Sequence, residues 1–106
     1  MKNEVIRVLV KEPGMAPVEK TVRNELEELQ KLVGGRIEAV TFFHDMAVIC
    51  NEKGRIYGLP FNCEFCNVDF CGPIVFVGVD GEEFDDFPMS EDTFRRIAPG
   101  VWRGKR

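Results

Sequence analysis

The residues in this chain best suited to chemistry are its cysteines. Three of the four fall within Cys63-Glu64-Phe65-Cys66-Asn67-Val68-Asp69-Phe70-Cys71, and the fourth is Cys50. Cys63-x2-Cys66 has the bite of a zinc knuckle, because two thiolates at that spacing can hold one tetrahedral ion at ~2.3 Å from each sulfur. A closed structural site needs four ligands. Cys71 would be a third and Cys50, or the single histidine His44, a fourth. The plainer alternative is four reduced thiols, since free cysteine commonly packs as a small hydrophobe. The second Cys-x2-Cys of a zinc ribbon is absent. A redox pair is a further alternative, but a thioredoxin-like site wants a helix after its cysteines, and Asn67 to Cys71 does not read as one.

Two other groupings carry potential chemistry. His44 and Cys50 could serve as base and nucleophile if they touched; a solvated histidine in a turn is the simpler expectation. Asp80, Glu82, Glu83, Asp85 and Asp86 form an acidic cluster with Phe84 and Phe87 interleaved. Clustered carboxylates can ligate calcium or magnesium, but the spacing of a calcium-binding loop is missing. They could instead face a basic partner and mimic a phosphate backbone, or be a solvated loop with two phenylalanines turned inward. Gly34-Gly35 and Gly78-Val79-Asp80-Gly81 lack the glycine spacing of a phosphate loop, and Gly34-Gly35 follows a helix where such a cradle precedes one.

The elements that must position these residues can be read from periodicity and punctuation. Val5 to Val10 is a dense β-branched run and predicts a buried, interior strand. Glu12-Pro13-Gly14 breaks it, and Pro17 to Val22 predicts a second strand pairing back on the first. A helix is expected over about 24–33, with Asn24 as N-cap and Glu27 completing a capping box. Leu26, Leu29, Leu32 and Val33 share its apolar face, and Gly34-Gly35 stops it. Strands are expected at Arg36 to Phe43 and Met46 to Cys50, with His44-Asp45 as a tight turn between them. Asn51-Glu52-Lys53-Gly54 is a turn signal, and Arg55-Ile56-Tyr57-Gly58 predicts a short strand leading to the cysteine run. Pro73 to Asp80 is the second strongly apolar strand. A helix over about 90–98 carries Phe94, Ile97 and Ala98 on its apolar side, and Pro99-Gly100 ends it.

The 106 residues are enough for one domain with its own core, so neither metal nor disulfide is required for stability. Nine phenylalanines against one tyrosine and one tryptophan are expected mainly as core filling, because phenylalanine has no polar tip. The formal charge is −4, unevenly spread. Arg95 to Arg106 holds five of the fourteen basic residues and no acid, which leaves nine basic against eighteen acidic residues, a net −9, in the rest. So acidic a body argues against general nucleic-acid binding. The basic tail could touch an acidic partner, or simply be solvated. No stretch approaches the roughly 18 apolar residues of a membrane span. Met1-Lys2-Asn3-Glu4-Val5 lacks the apolar core of a secretory signal. A cytoplasmic location is expected, where cysteines stay reduced.

The chain resembles a known family. The resemblance is carried by Ile6-Arg7-Val8-Leu9-Val10-x-Glu12-Pro13-Gly14 and by Leu29-Gln30-Lys31-Leu32-Val33-Gly34-Gly35-x-Ile37-Glu38-Ala39-Val40. It continues through Ile49-Cys50-Asn51-Glu52-x-Gly54, Gly58-Leu59-Pro60-x-Asn62 and Cys71-Gly72-Pro73-Ile74-Val75-Phe76-Val77-Gly78. These segments look like the family known as domain of unknown function 3846, over roughly residues 5 to 98. The resemblance implies an accessory protein of phages or conjugative elements and brings no catalytic residue with it. Cys50 and Cys71 lie in the shared segments, whereas Cys63 and Cys66 fall where a variable loop is expected.

The expected architecture is therefore α+β: a single domain over 1–98 with a mainly antiparallel sheet, one main helix and a short C-terminal helix, then a basic tail over 99–106. The expected function is a non-catalytic binding module acting on a protein or small-molecule partner. A zinc-binding interaction module using Cys63, Cys66, Cys71 and Cys50, and an enzyme or nucleotide binder with an unseen pocket, are the alternatives. Asp80, Glu82, Glu83, Asp85 and Asp86 are the candidate partner-binding residues.

Overall fold

The computed structural model describes residues 4–103, without the side chain of Arg103. Met1-Lys2-Asn3 and the end of the basic tail, Gly104-Lys105-Arg106, lie outside the described residues. The elements run β1 (Val5–Lys11), β2 (Val18–Arg23), α1 (Leu26–Val33), β3 (Ile37–Phe42), β4 (Met46–Asn51), β5 (Phe61–Phe65), β6 (Val68–Cys71), β7 (Ile74–Asp80), β8 (Glu83–Asp85), α2 (Glu91–Ile97) and α3 (Pro99–Arg103). The main sheet has the order β2-β1-β7-β4-β3, with β8 beside β7, and β5 and β6 form a separate two-stranded sheet. Every pairing is antiparallel. The α+β class and the mainly antiparallel sheet expected from sequence are what the chain forms.

Alternation along the central strands divides the core in two. Ile6, Val8 and Val10 of β1, Ala47 and Ile49 of β4, and Val75 and Val77 of β7 face α1, where Leu29 and Val33 cover them. The intervening residues Leu9, Met46, Val48, Cys50, Ile74 and Phe76 face the β5–β6 hairpin and α2–α3. The result is three layers, with the main sheet in the middle. The hairpin side is aromatic. Phe94 sits edge-on to Phe65, Phe76, Phe87 and Trp102, with centroids 5.0–5.8 Å apart. Such geometry sets the positive ring edge against a negative face.

Arg7 ties β1 to the segment that enters α2. Its Nη2 donates to the carbonyls of Phe87 (2.7 Å) and Met89 (2.6 Å), and its Nη1 to Glu19 (3.1 Å). Its backbone N–H donates to the Asp86 carboxylate at 2.8 Å, and its carbonyl accepts from Phe87 N–H at 2.7 Å. Here β8 hands over to the chain leading to α2, and the backbone passes so close to β7 that a Cβ at Gly78 would collide with the Asp86 carbonyl.

Several expectations need correcting. Asn24 does not cap α1. Its N-cap is Glu25, without a side-chain hydrogen bond; Asn24 is buried and its Nδ2 donates to the Phe84 carbonyl at 3.0 Å. Leu26 lies in the first turn of α1, beyond the covered face, and is 58% exposed. Arg55 to Gly58 is a chain of turns and not a strand. Tyr57 N–H bonds Lys53 O, Gly58 N–H bonds Arg55 O and Leu59 N–H bonds Gly54 O, so the segment is bonded to itself. The C-terminal helix α2 does end before Pro99, as expected, but Pro99 also starts a further helix, α3, that the sequence did not announce. Proline suits the first helical position, where its missing N–H has no intrahelical partner to lose. The beginning of the tail thus docks, with Val101 buried and Trp102 against Phe94. The Arg95 guanidinium lies 5.5 Å from the Trp102 ring centroid.

Candidate functional site

The cysteine run is a β-hairpin, not a loop. Phe65 pairs with Val68, leaving Cys66 and Asn67 as the two central residues, both at positive φ (51° and 67°). That is the conformation of a type I′ turn, which matches the twist of the flanking strands. The alternation Cys63, Phe65 and then Val68, Phe70 was the available signal, but Cys-Asn lacks the glycine that normally announces such a turn. Cys71 ends β6, and Gly72 at φ 81° separates it from β7.

This geometry distributes the thiols. Cys63 points into the hairpin-side core with Phe65, Cys66 is exposed at the turn, Cys50 is buried at the end of β4, and Cys71 is partly exposed. The four-thiol centre of Cys63, Cys66, Cys71 and Cys50 is not assembled, because within the Cys-x2-Cys pair one residue faces the core and the other sits on the turn. Among the described residues, no three His, Cys, Asp or Glu side chains are arranged to hold a metal ion. His44 is exposed in the β3–β4 turn, while Cys50 pairs with Glu38 near the far end of β4. Four residue steps along β4, ~13 Å, separate Cys50 from Met46 at the turn end, so the proposed nucleophile and base do not meet.

What the fold does bring together is Cys50 and Cys71. They line a cleft of about 380 Å³ between the β3–β4 margin of the main sheet and β6. Val40, Val68 and Phe70 give it an apolar floor, and Glu38, Glu52 and Asp69 give it an acidic rim. Arg55 is the one basic residue lining it, and its Nη2 donates to the Asp69 carbonyl at 3.2 Å. The turns over 52–58 close one end. Their start is fixed by Asn51, whose Oδ1 accepts from Lys53 N–H (2.8 Å) and whose Nδ2 donates to Val33 O (3.2 Å). Gly54 lets this loop lie on β6, since a Cβ there would come 2.9 Å from the Cys71 carbonyl. The same loop presents Ile56 and Tyr57 at 78% and 67% exposure. Burial pushes the Cys50 thiol up to about 11, with the Glu38 carboxylate adding and Arg55 opposing. Cys50 is therefore a neutral thiol at physiological pH, not an activated nucleophile.

A second polar feature, which no sequence signal marked, lies under the hairpin. Lys11 ends β1 on the face shared with Arg7 and Leu9, and is 0% exposed. Its Nζ has no hydrogen-bond partner among the described residues. Asn62 bridges the layers through Nδ2, which donates to the carbonyls of Lys11 and Gly72 at 2.8 Å each, while its Oδ1 is buried without a partner. Burial lowers the Lys11 pKa, with Cys63 opposing, and burial pushes Cys63 up to about 11.

The acidic cluster forms the β7–β8 turn. Asp80 pairs with Glu83 around Gly81 at φ 67°, a glycine-first two-residue turn. Asp86 accepts from Arg7 N–H, and the Asp85 carboxylate accepts from Asp86 N–H at 2.8 Å. Phe84 packs on the α1 side and Phe87 on the hairpin side. Glu82 and Glu83 border a second cleft of about 380 Å³ with Asn24, Leu26, Ile37 and Phe84.

Fold and site define a three-layered α+β domain with a cleft at the uncovered margin of its sheet. A family model described as Domain of unknown function (DUF3846) matches residues 6–97, and the chain belongs to that family. No curated protein and no solved structure matches it. No helix among the described residues is long and apolar enough to cross a membrane.

Proposed function

We propose that this domain is a non-catalytic binding module, and that it holds a protein segment or small molecule in the cleft between β3–β4 and β6. One observation carries the reading: the cleft combines an apolar floor with an acidic rim and a loop anchored at its start and at Arg55. Binding sites usually pair apolar lining with a few placed polar groups in this way. Cys50, the nucleophile that the sequence offered beside His44, is held protonated by burial. The same proposal sets the protein among the accessory proteins of mobile elements, a setting that rests on the family resemblance alone.

The test uses Cys71 as a reporter. Its modification by a small maleimide, followed by mass spectrometry, is expected to slow in the presence of a ligand drawn from a fragment library, while Cys66 modification is unchanged. Turnover of a substrate by the purified protein would defeat the reading. A second reading places a basic partner on the β7–β8 turn, favoured by the cleft beside Glu82 and the exposed Leu26. Partner binding that is lost in Glu82→Lys and kept in Glu38→Lys would select it.

A further inference from the structure

The hairpin layer stops one strand short of the sheet it covers. β3 is the edge of the main sheet, and its hairpin-facing residues are incompletely covered: Glu38 is exposed, and Val40 and Phe42 are partly buried. Above them β6 pairs with no strand but β5, and its outer edge is met by the Arg55 guanidinium at Asp69 and by the Gly54 backbone beside the Cys71 carbonyl. In a two-residue hairpin the pair flanking the turn, here Phe65 and Val68, bond to each other, and successive residues alternate. The backbone groups of Val68 and Phe70 therefore turn toward β5, and those of Asp69 turn outward. The Asp69 carbonyl receives the Arg55 guanidinium at 3.2 Å, which marks that direction, and a strand added there would take the place of Arg55 on that carbonyl.

We propose that an extended peptide segment of a partner protein, carrying a basic side chain, adds to the outer edge of β6 as a third strand of the hairpin layer, displacing the Arg55 guanidinium from Asp69. This rests on the cleft's being the binding site. At strand spacing, ~4.8 Å from β6, the added chain would lie over β3. Its alternate side chains would point down onto Val40 and the Cys50 thiol. Backbone pairing supplies affinity in this mode of recognition, and the side-chain pockets supply selectivity. The charge of the occupant follows from the rim. Glu38, Glu52 and Asp69 outnumber Arg55, so a lysine or arginine is attracted and an acidic or phosphorylated segment is repelled. The cleft volume of about 380 Å³ suits a few side chains. A two-stranded sheet is also marginal on its own, and a third strand strengthens it.

A displayed library of random seven-residue peptides, selected on the intact protein, tests this. Enriched peptides should alternate β-branched or aromatic residues, carry lysine or arginine, and lack proline. Bound to ¹⁵N-labelled protein, they should shift amide resonances within 38–42, 50–56 and 66–72. The double variant Glu38→Lys/Asp69→Lys alters two exposed side chains and should weaken binding at least 10-fold, with peptides bearing glutamate for the basic residue restoring it. Absence of enrichment, enrichment of acidic or proline-rich sequences, or shifts centred on 82–84 would overturn the proposal. Fragments that protect Cys71 when no peptide does would sink the peptide assignment and leave the cleft standing as a small-molecule site. If neither fragments nor peptides protect Cys71, the cleft reading itself fails.

Discussion

The two faces of the main sheet are built from different materials. The α1 face is covered by aliphatic side chains, with Phe84 packed at its margin beside the second cleft. The hairpin face holds the ring stack around Phe94, the buried thiols of Cys50 and Cys63, the unpartnered Lys11 amine and the cleft. A helix covers a sheet with a continuous apolar stripe and leaves no backbone group for a ligand. A two-stranded hairpin covers less width and brings an outer edge, so polar groups and a cleft survive beneath and beside it. The buried thiols and the buried amine collect on the face whose cover is narrower.

The contrast predicts how each face fails. Phe94→Ala should cost about 3–5 kcal/mol and Leu29→Ala about 3 kcal/mol. The two differ most clearly in fluorescence. Trp102, the single tryptophan, packs on Phe94. Its emission should shift to the red in Phe94→Ala and stay unchanged in Leu29→Ala below the unfolding transition. Equal shifts would mean that the two faces are coupled more tightly than their separate packing implies.

Lys11→Met should raise stability by about 2 kcal/mol, because an isolated buried amine gives way to an apolar side chain of similar length. The pH dependence carries a sign. The lowered Lys11 pKa means that the unfolded chain binds more protons up to the ordinary lysine value of 10.5, so stability should rise with pH toward that value. Cys50 and Cys63, raised from 9.0 to about 11, act oppositely, and stability from them falls across pH 9 to 11. Urea titrations at increasing pH below about 10.5 should show a rise in wild type relative to Lys11→Met.

Ser90 caps α2, accepting from Thr93 N–H at 3.1 Å, whereas Glu25 of α1 makes no such bond. Ser90→Ala should cost about 1 kcal/mol, and Glu25→Ala about 0.5 kcal/mol or less through the exposed pair with Arg23. The smallest energetic probe is thiol modification at pH 8. Cys66 should react first and Cys71 next. Cys50 and Cys63 should lag far behind, with about one thiol in a thousand ionised. Rapid reaction of Cys63 would reveal that the hairpin lifts from the sheet.

The β1, β4 and β7 runs, the α1 stripe and the glycine stop after it were legible because burial on one or both faces imposes a period that local sequence must carry. Arg55 to Gly58 misled, since Ile-Tyr has strand propensity while Gly54 and Gly58 allow the turns that form. The hairpin of Cys63 to Cys71 was hidden by a turn without glycine, and that one feature decided where every thiol points. The sequence by itself determined an α+β domain with an antiparallel sheet and an acidic body, because period, punctuation and charge are local properties. Which cysteines meet, that Cys50 joins Cys71 rather than His44, and that Lys11 is sealed under Asn62 were decided by tertiary structure alone. Those facts depend on how strands distant in sequence stack, and on a hairpin too narrow to cover the sheet beneath it.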